Sequence, residues 1–123
     1  MSLKRGSIVL IHFPFTDLSG YKIRPGLVIR NDSEKDIIVV FITSALPQSV
    51  SSTEFIVSEK YSYFKQTGLK RDSIIRCTKI MTLSKSLLLG DLGKLPEQIM
   101  DSEIDKRLEI ALSLKDTINN VNS

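Results

Sequence analysis

Residues 73–114, SIIRCTKIMTLSKSLLLGDLGKLPEQIMDSEIDKRLEIALSL, change their apolar period part-way along. The opening SIIRCTKI (73–80) is rich in β-branched residues and reads as a strand. MTLSKSLL then suits a short helical turn, and LGDLGKL a short final strand. Beyond Pro96 the period becomes helical: Met100, Ile104, Leu108, Ala111 and Leu112 recur at the spacing of one helix face. Pro96 suits a first helical position, where its missing N–H costs nothing. Glu97 and Asp101 suit the positive end of the helix dipole. Residues 116–123 are expected to fray.

Toward the N-terminus every apolar stretch reads as a strand. SIVLIHFPF (7–15) is apolar on both faces until Pro14 and the turn formers of TDLSGYK break it. GLVIR (26–30) is a second strand, with a turn at Asn31-Asp32. DIIVVFIT (36–43) is a continuous β-branched run, as in a central strand covered on both sides. SALPQSVSS (44–52) is a polar loop, and TEFIVS (53–58) alternates like a half-exposed strand. A polar and aromatic connection follows, with a helical turn before Gly68. Several strands followed by one helix exclude a Rossmann-like alternation. The pattern predicts a single domain over 1–123, mainly β with a C-terminal helix, built on a small twisted sheet or half-open barrel.

The composition agrees with this. The chain has 123 residues, 41% hydrophobic and 25% charged, which is enough for one core and too apolar for disorder. No apolar run approaches the ~18 residues of a membrane span. Basic residues precede the first apolar stretch, but Pro14 and the lack of a small-residue cleavage site oppose a signal peptide. A soluble, cytoplasmic protein with no membrane partner is expected. One cysteine and one histidine supply neither an internal disulfide nor a Cys/His metal cluster, so no cofactor is expected. Cys77 reads as a small buried hydrophobe rather than a catalytic thiol. His12 reads as a packed strand residue that can still titrate as a base.

The net charge of +3 is unevenly spread. Lys4, Arg5, Lys22, Arg24 and Arg30 face only Asp17 within residues 1–30, and residues 60–94 are again strongly basic. Residues 31–59 and 95–123 are acidic. Two basic segments converging in the fold would attract a polyanion; the alternative is a salt-bridged mixed surface.

Glycine-rich phosphate loops, nucleophile elbows and paired-histidine motifs are absent. What remains are polar residues at strand ends. Arg24 stands before Pro25 at the opening of the second strand, Thr43 and Ser44 close the third, and Ser73 and Arg76 begin a later one. If these strands are neighbours, their ends surround one concave spot with guanidinium and hydroxyl groups. Arginine's planar fork matches phosphate oxygens and keeps its charge. Tyr61, Tyr63 and Phe64, flanked by Lys60 and Lys65, offer either core packing or a base-stacking platform. Lys22, Lys70, Arg71 and Lys79 are candidate backbone contacts.

KRGSIVLIHFPFTDLSG, RPGLVI, VVFITS, TGLKRDSIIRCTKIMTLSKSLL and LGDLGKL together resemble the MazF/PemK family, endoribonuclease toxins of type II toxin–antitoxin systems. The resemblance covers nearly the whole chain. It implies an SH3-like small β-barrel of the CcdB/PemK type with a C-terminal helix, commonly as a homodimer. It implies metal-independent cleavage of single-stranded RNA at short motifs, leaving 2′,3′-cyclic phosphate and 5′-hydroxyl ends, and a cognate antitoxin partner. Arg24 matches the family's arginine before proline, Thr43 its threonine after the central strand, and Arg76 an arginine that some members use in the later strand; all three are taken as candidate catalytic residues. Ser19, Lys22, Ser44, Ser73, Thr78 and Lys79 are candidate substrate contacts. The chain departs from the family pattern at Ser7, where many members carry an acidic residue, at Thr78, where members using the later-strand arginine can pair it with an aspartate, and in the loop TDLSGYKI, whose nearest polar candidates are Asp17 and Ser19. The family thus implies the reaction more firmly than each proton-transfer role. The competing readings are a CcdB-like gyrase inhibitor, an inert nucleic-acid-binding barrel and an interaction protein without an RNA role.

Overall fold

The computed structural model describes residues 2–13 and 22–114. The strands are β1 (Ser7–Phe13), β2 (Lys22–Arg30), β3 (Asp36–Thr43), β4 (Glu54–Val57), β5 (Ser73–Ser84) and β6 (Leu88–Lys94). They form one sheet in the order β4-β5-β3-β2-β1-β6, antiparallel throughout. β4 and β6 are its edges, so the barrel is an open one. A short helix α1 (Phe64–Thr67) lies between β4 and β5. The chain ends in one helical run: α2 (Glu97–Ile99), a π turn (Met100–Ile104) and α3 (Asp105–Ala111).

β3 is paired on both sides, and its apolar residues divide by parity. Val40 and Ile42 point into a cluster with Ile8, Leu27, Phe55, Val57, Ile75 and Cys77, which the C-terminal helix caps with Met100, Ile104 and Leu108. Ile37 and Val39 point the other way, into a cluster with Val9, Ile11, Phe13, Val28 and Leu83. Two-sided burial explains the unbroken β-branched run of β3.

β5 is the irregular element. Val39 and Val40 pair with Met81 and Ile80, but Phe41 pairs with Arg76. Cys77, Thr78 and Lys79 are therefore left without a β3 partner. The Cys77 N–H turns instead to the Thr53 carbonyl beside β4, at 3.0 Å. An odd offset exchanges the faces of a strand. It sends Cys77 into the helix-capped core and Arg76 to the opposite face.

Several boundaries differ from the sequence expectation. β2 begins at Lys22 rather than Gly26, so Arg24 and Pro25 lie within a strand and not at its entrance. Pro25 is tolerated because this end of β2 pairs with β1 alone; pairing to β3 starts at Gly26. β5 runs on through Ser84, and the helical turn falls at Lys85–Leu87, where the Ser86 N–H donates to Ser84 Oγ. Pro96, with φ −56° and ψ 142°, caps the helix rather than opening it. Leu112 leaves the apolar stripe: α3 ends at Ala111, and Leu112 is 53% exposed. Pro14, Phe15 and the tail 116–123 lie outside the described residues.

Gly68 ends α1 with φ +74°, and a Cβ there would collide with the Leu92 carbonyl of β6. Gly68→Ala should therefore lose at least about 1 kcal/mol of stability, read as a lower urea midpoint at unchanged slope. Cys77 is fully buried, and burial pushes its thiol up to about 11 while Arg107 acts weakly against this. The folded state holds the proton that an unfolded thiol releases near 9.0. This contribution to stability is complete below that value and is lost as pH rises toward about 11. At about pH 8, native protein should resist iodoacetamide that fully alkylates urea-unfolded protein, as mass spectrometry would show.

Candidate active site

Cross-strand register decides which side chains share a face. Lys22 stands opposite Phe13 and Arg24 opposite Ile11. Gly26 stands opposite Phe41, which in turn faces Arg76 on β5. Directly opposed residues project from the same side of a sheet. Arg24 lies two residues before Gly26, and Thr43 two residues after Phe41, so both join that side. The β2–β3 pairing ends at Gly26–Phe41, and Arg24 and Thr43 lie just beyond its last pair.

There the sheet holds a cavity of about 410 Å³ lined by Phe13, Lys22, Arg24, Phe41, Ile42, Thr43, Arg76 and Met81. The three residues matched to catalysis, Arg24, Thr43 and Arg76, thus meet in one place, with Lys22 beside them. Phe13 and Phe41 form its apolar wall, ring centroids 4.6 Å apart. Among the described residues, three cations and no carboxylate line it, which favours an anionic ligand over an apolar one.

The polar groups are held differently. Arg24 Nη1 donates to the Ile23 carbonyl at 3.1 Å, and the side chain is otherwise exposed. Thr43 Oγ1 accepts from the Ala45 N–H at 3.1 Å, which leaves its hydroxyl hydrogen available as a donor. Arg76 Nε lies 3.5 Å from Glu54 Oε2 on the adjoining strand, buried and without an aligned hydrogen bond. Glu54 Oε1 accepts from the Ser51 N–H at 3.0 Å. That bond first, and the Arg76 charge last, hold the Glu54 carboxyl below its ordinary value against the opposing effect of burial.

The remaining candidates among the described residues do not line the cavity. Ser44 is exposed beyond the end of β3, and Thr78 and Lys79 are exposed in the unpaired stretch of β5. Ser73 is buried, and its hydroxyl donates to the Arg71 carbonyl at 2.9 Å, a structural bond. Ser19 and Asp17 lie outside the described residues. Strand alternation puts His12 on the face of β1 opposite Phe13, away from the cavity. Tyr61 and Tyr63 stack with centroids 5.4 Å apart, but Tyr63 and Phe64 pack on the core, leaving Tyr61 as the exposed ring. Lys70 and Arg71 are exposed away from the cavity lining. Sequence reasoning missed the Phe13–Phe41 wall, although alternation along DIIVVFIT already sets Phe41 on the Thr43 side. It also missed Glu54, which only the β4–β5 register reveals. Among the described residues no group of three His, Cys, Asp or Glu side chains gathers to hold a metal.

Comparison with known proteins identifies the family. The family model described as "PemK-like, MazF-like toxin of type II toxin-antitoxin system" matches residues 4–112. Endoribonuclease EndoA of Bacillus subtilis is 30% identical over 122 residues, covering 94% of this chain and 99% of that protein. Endoribonuclease MazF6 of Mycobacterium tuberculosis is 30% identical over 93 residues, covering 76% and 81%. Among solved structures, the Mycobacterium tuberculosis toxin MazF-mt6 superposes with a TM-score of 0.70 at 18% identity, covering 89% of this chain and 99% of that one. A mycobacterial endoribonuclease in complex with its cognate antitoxin does so at 0.69 and 22% identity, covering 94% and 99%. These likenesses establish the shared fold, and the match along residues 4–112 shows that the chain belongs to the PemK-like, MazF-like toxin family of type II toxin–antitoxin systems.

Proposed function

We propose that this protein is a cytoplasmic endoribonuclease toxin that cleaves single-stranded RNA without a metal and is neutralised by a cognate antitoxin. The observation that carries this reading is the convergence of Arg24, Thr43 and Arg76, with Lys22, on one cavity whose described lining holds no carboxylate. Support also comes from the endoribonuclease names of its relatives and from the antitoxin complex of a structural neighbour. The homodimer belongs to the same reading and rests on the family resemblance. No helix among the described residues is long and apolar enough to cross a membrane.

In this mechanism the scissile phosphate sits between the two guanidinium groups. The ribose 2′-oxygen loses its proton as it bonds to phosphorus. The P–O5′ bond breaks, and the departing oxygen takes a proton. The products are a 2′,3′-cyclic phosphate and a 5′-hydroxyl. Arg24 and Arg76 stabilise the charge that gathers on the phosphoryl oxygens, which fixed donors do best. Thr43 donates its free hydroxyl hydrogen to the reacting group. Phe41, partly exposed and backed by the buried Phe13, provides an apolar face against which a neighbouring base stacks. The acidic segment of an antitoxin would compete for the same cations.

The test is incubation of a single-stranded RNA pool in EDTA with wild type, Arg24→Ala and Arg24→Lys. Wild type should leave cyclic-phosphate ends, and Arg24→Ala should lose roughly 10²-fold or more in rate. Arg24→Lys, which keeps charge but loses the fork, should stay well below wild type. Intact RNA with folded wild type would overturn the reading and favour a gyrase-directed toxin or an inert binder.

A further inference from the structure

We infer that Glu54 is a positioning residue that holds Arg76 in its working orientation, and that β4 is thereby part of the active-site framework. The inference rests on the cavity being the site of RNA cleavage. Glu54 does not line the cavity and touches no substrate position. Its role is exerted through Arg76, which stands directly opposite it in the β4–β5 register.

Glu54 is fixed at four points. Its N–H donates to the Ser51 carbonyl at 3.1 Å, and its Oε1 accepts from the Ser51 N–H at 3.0 Å. Its carbonyl accepts from Arg107 Nε at 2.9 Å. Its remaining carboxylate oxygen faces Arg76 Nε at 3.5 Å. Arg107 is itself tied to Glu103 Oε1 at 2.8 Å and lies over the Phe55 ring, 5.1 Å from its centroid. The C-terminal helix thus clamps the backbone of Glu54, and a turn clamps its side chain.

The geometry of Arg76 gives the clamp a purpose. Its Nε is buried, and Glu54 is its partner in the only ion pair that Arg76 makes among the described residues. The terminal nitrogens have no protein hydrogen-bond partner there, so they remain for a ligand in the cavity. A carboxylate behind Nε restricts the guanidinium plane while leaving its outer edge free, which is how a bidentate phosphate contact is prepared in advance. The Glu54 side chain is 14% exposed and that of Arg76 43%, so the buried Nε end of the pair is shielded while the outer guanidinium reaches solvent.

Glu54→Gln separates positioning from simple electrostatics, because the two predict opposite signs. The amide keeps an acceptor for the Ser51 N–H but removes the charge facing Arg76. Single-turnover cleavage should fall by about 10-fold, as expected for a misplaced catalytic group. RNA binding, measured by fluorescence anisotropy, should stay the same or tighten, since a negative charge beside a polyanion site has gone. In an Arg76→Ala background, Glu54→Gln should have no further effect on rate. Glu54→Asp, which keeps the charge on a shorter arm, should recover part of the lost rate.

Cleavage by Glu54→Gln at the wild-type rate overturns the inference and leaves the ribonuclease reading intact. So does a rate loss that persists undiminished without Arg76, or one that comes with weakened RNA binding and a lower melting temperature, the mark of a structural residue. Absence of cleavage by folded wild type overturns the ribonuclease reading itself, and the inference with it.

Discussion

The candidate active-site cavity depends on one irregularity, the offset in β5 between its pairing with Val40 and with Phe41. If the register of Val39 and Val40 continued, Phe41 would face Lys79 and Arg76 would point into the opposite face. The offset spans an odd number of residues and therefore reverses the parity of everything before it. It buries Cys77 in the helix-capped core and turns Arg76 toward Thr43 and Arg24. Both outcomes are needed together: an unpaired arginine in the core would be severely destabilising, and the cavity would lack one of its three cations. The Cys77 N–H bond to the Thr53 carbonyl stabilises the break by giving a stranded donor a partner.

Charge, not size, distinguishes this cavity. A larger one, of about 1020 Å³, lies where β1 and β6 meet the start of α2. It is lined by Lys4, Arg5 and Lys94, but also by Asp91, Glu97 and Asp101. Opposite charges in such a lining cancel one another at the distance of an approaching polyanion, particularly at physiological salt. Among the described residues, the lining of the smaller cavity holds no acidic group and has an apolar wall beside its cations. A phosphate there would meet a positive lining offset only by Glu54 behind Arg76, in a partly desolvated place where electrostatic stabilisation is worth most.

Much of this was legible in the sequence, for physical reasons that can be named. The β-branched run of β3 identifies a strand covered on both sides, and the helical spacing of Met100, Ile104 and Leu108 identifies the terminal helix. Both signals come from periodic burial. Arg24, Thr43 and Arg76 were also accessible as candidates, because turn formers and polar residues beside apolar runs single them out, although only Thr43 stands at a strand end. Glu54 and the Phe13–Phe41 wall were not, because they depend on register between strands distant in sequence. The β5 offset leaves no mark either: no glycine or proline interrupts SIIRCTKIM. Pro25 misled in the opposite direction. It suggests a strand entrance, yet β2 includes it because pairing there is one-sided.

The two arginines of the cavity are constrained to different degrees, and this suggests a division of labour. Arg76 is backed by a carboxylate that is itself held by a turn and, through its backbone, by the helix. Arg24 has only the carbonyl of its own chain neighbour and is otherwise exposed. A fixed group contributes charge stabilisation without reorganising, whereas a mobile one must be ordered by the ligand at an entropic cost. What Pro25 supplies is therefore direction rather than rigidity. It biases Arg24 toward an extended backbone beside its β1 neighbour, while the long side chain stays free to close on a phosphate. On the proposed reading, a site with one backed and one exposed cation would admit a flexible single strand and complete its charge as a phosphate arrives.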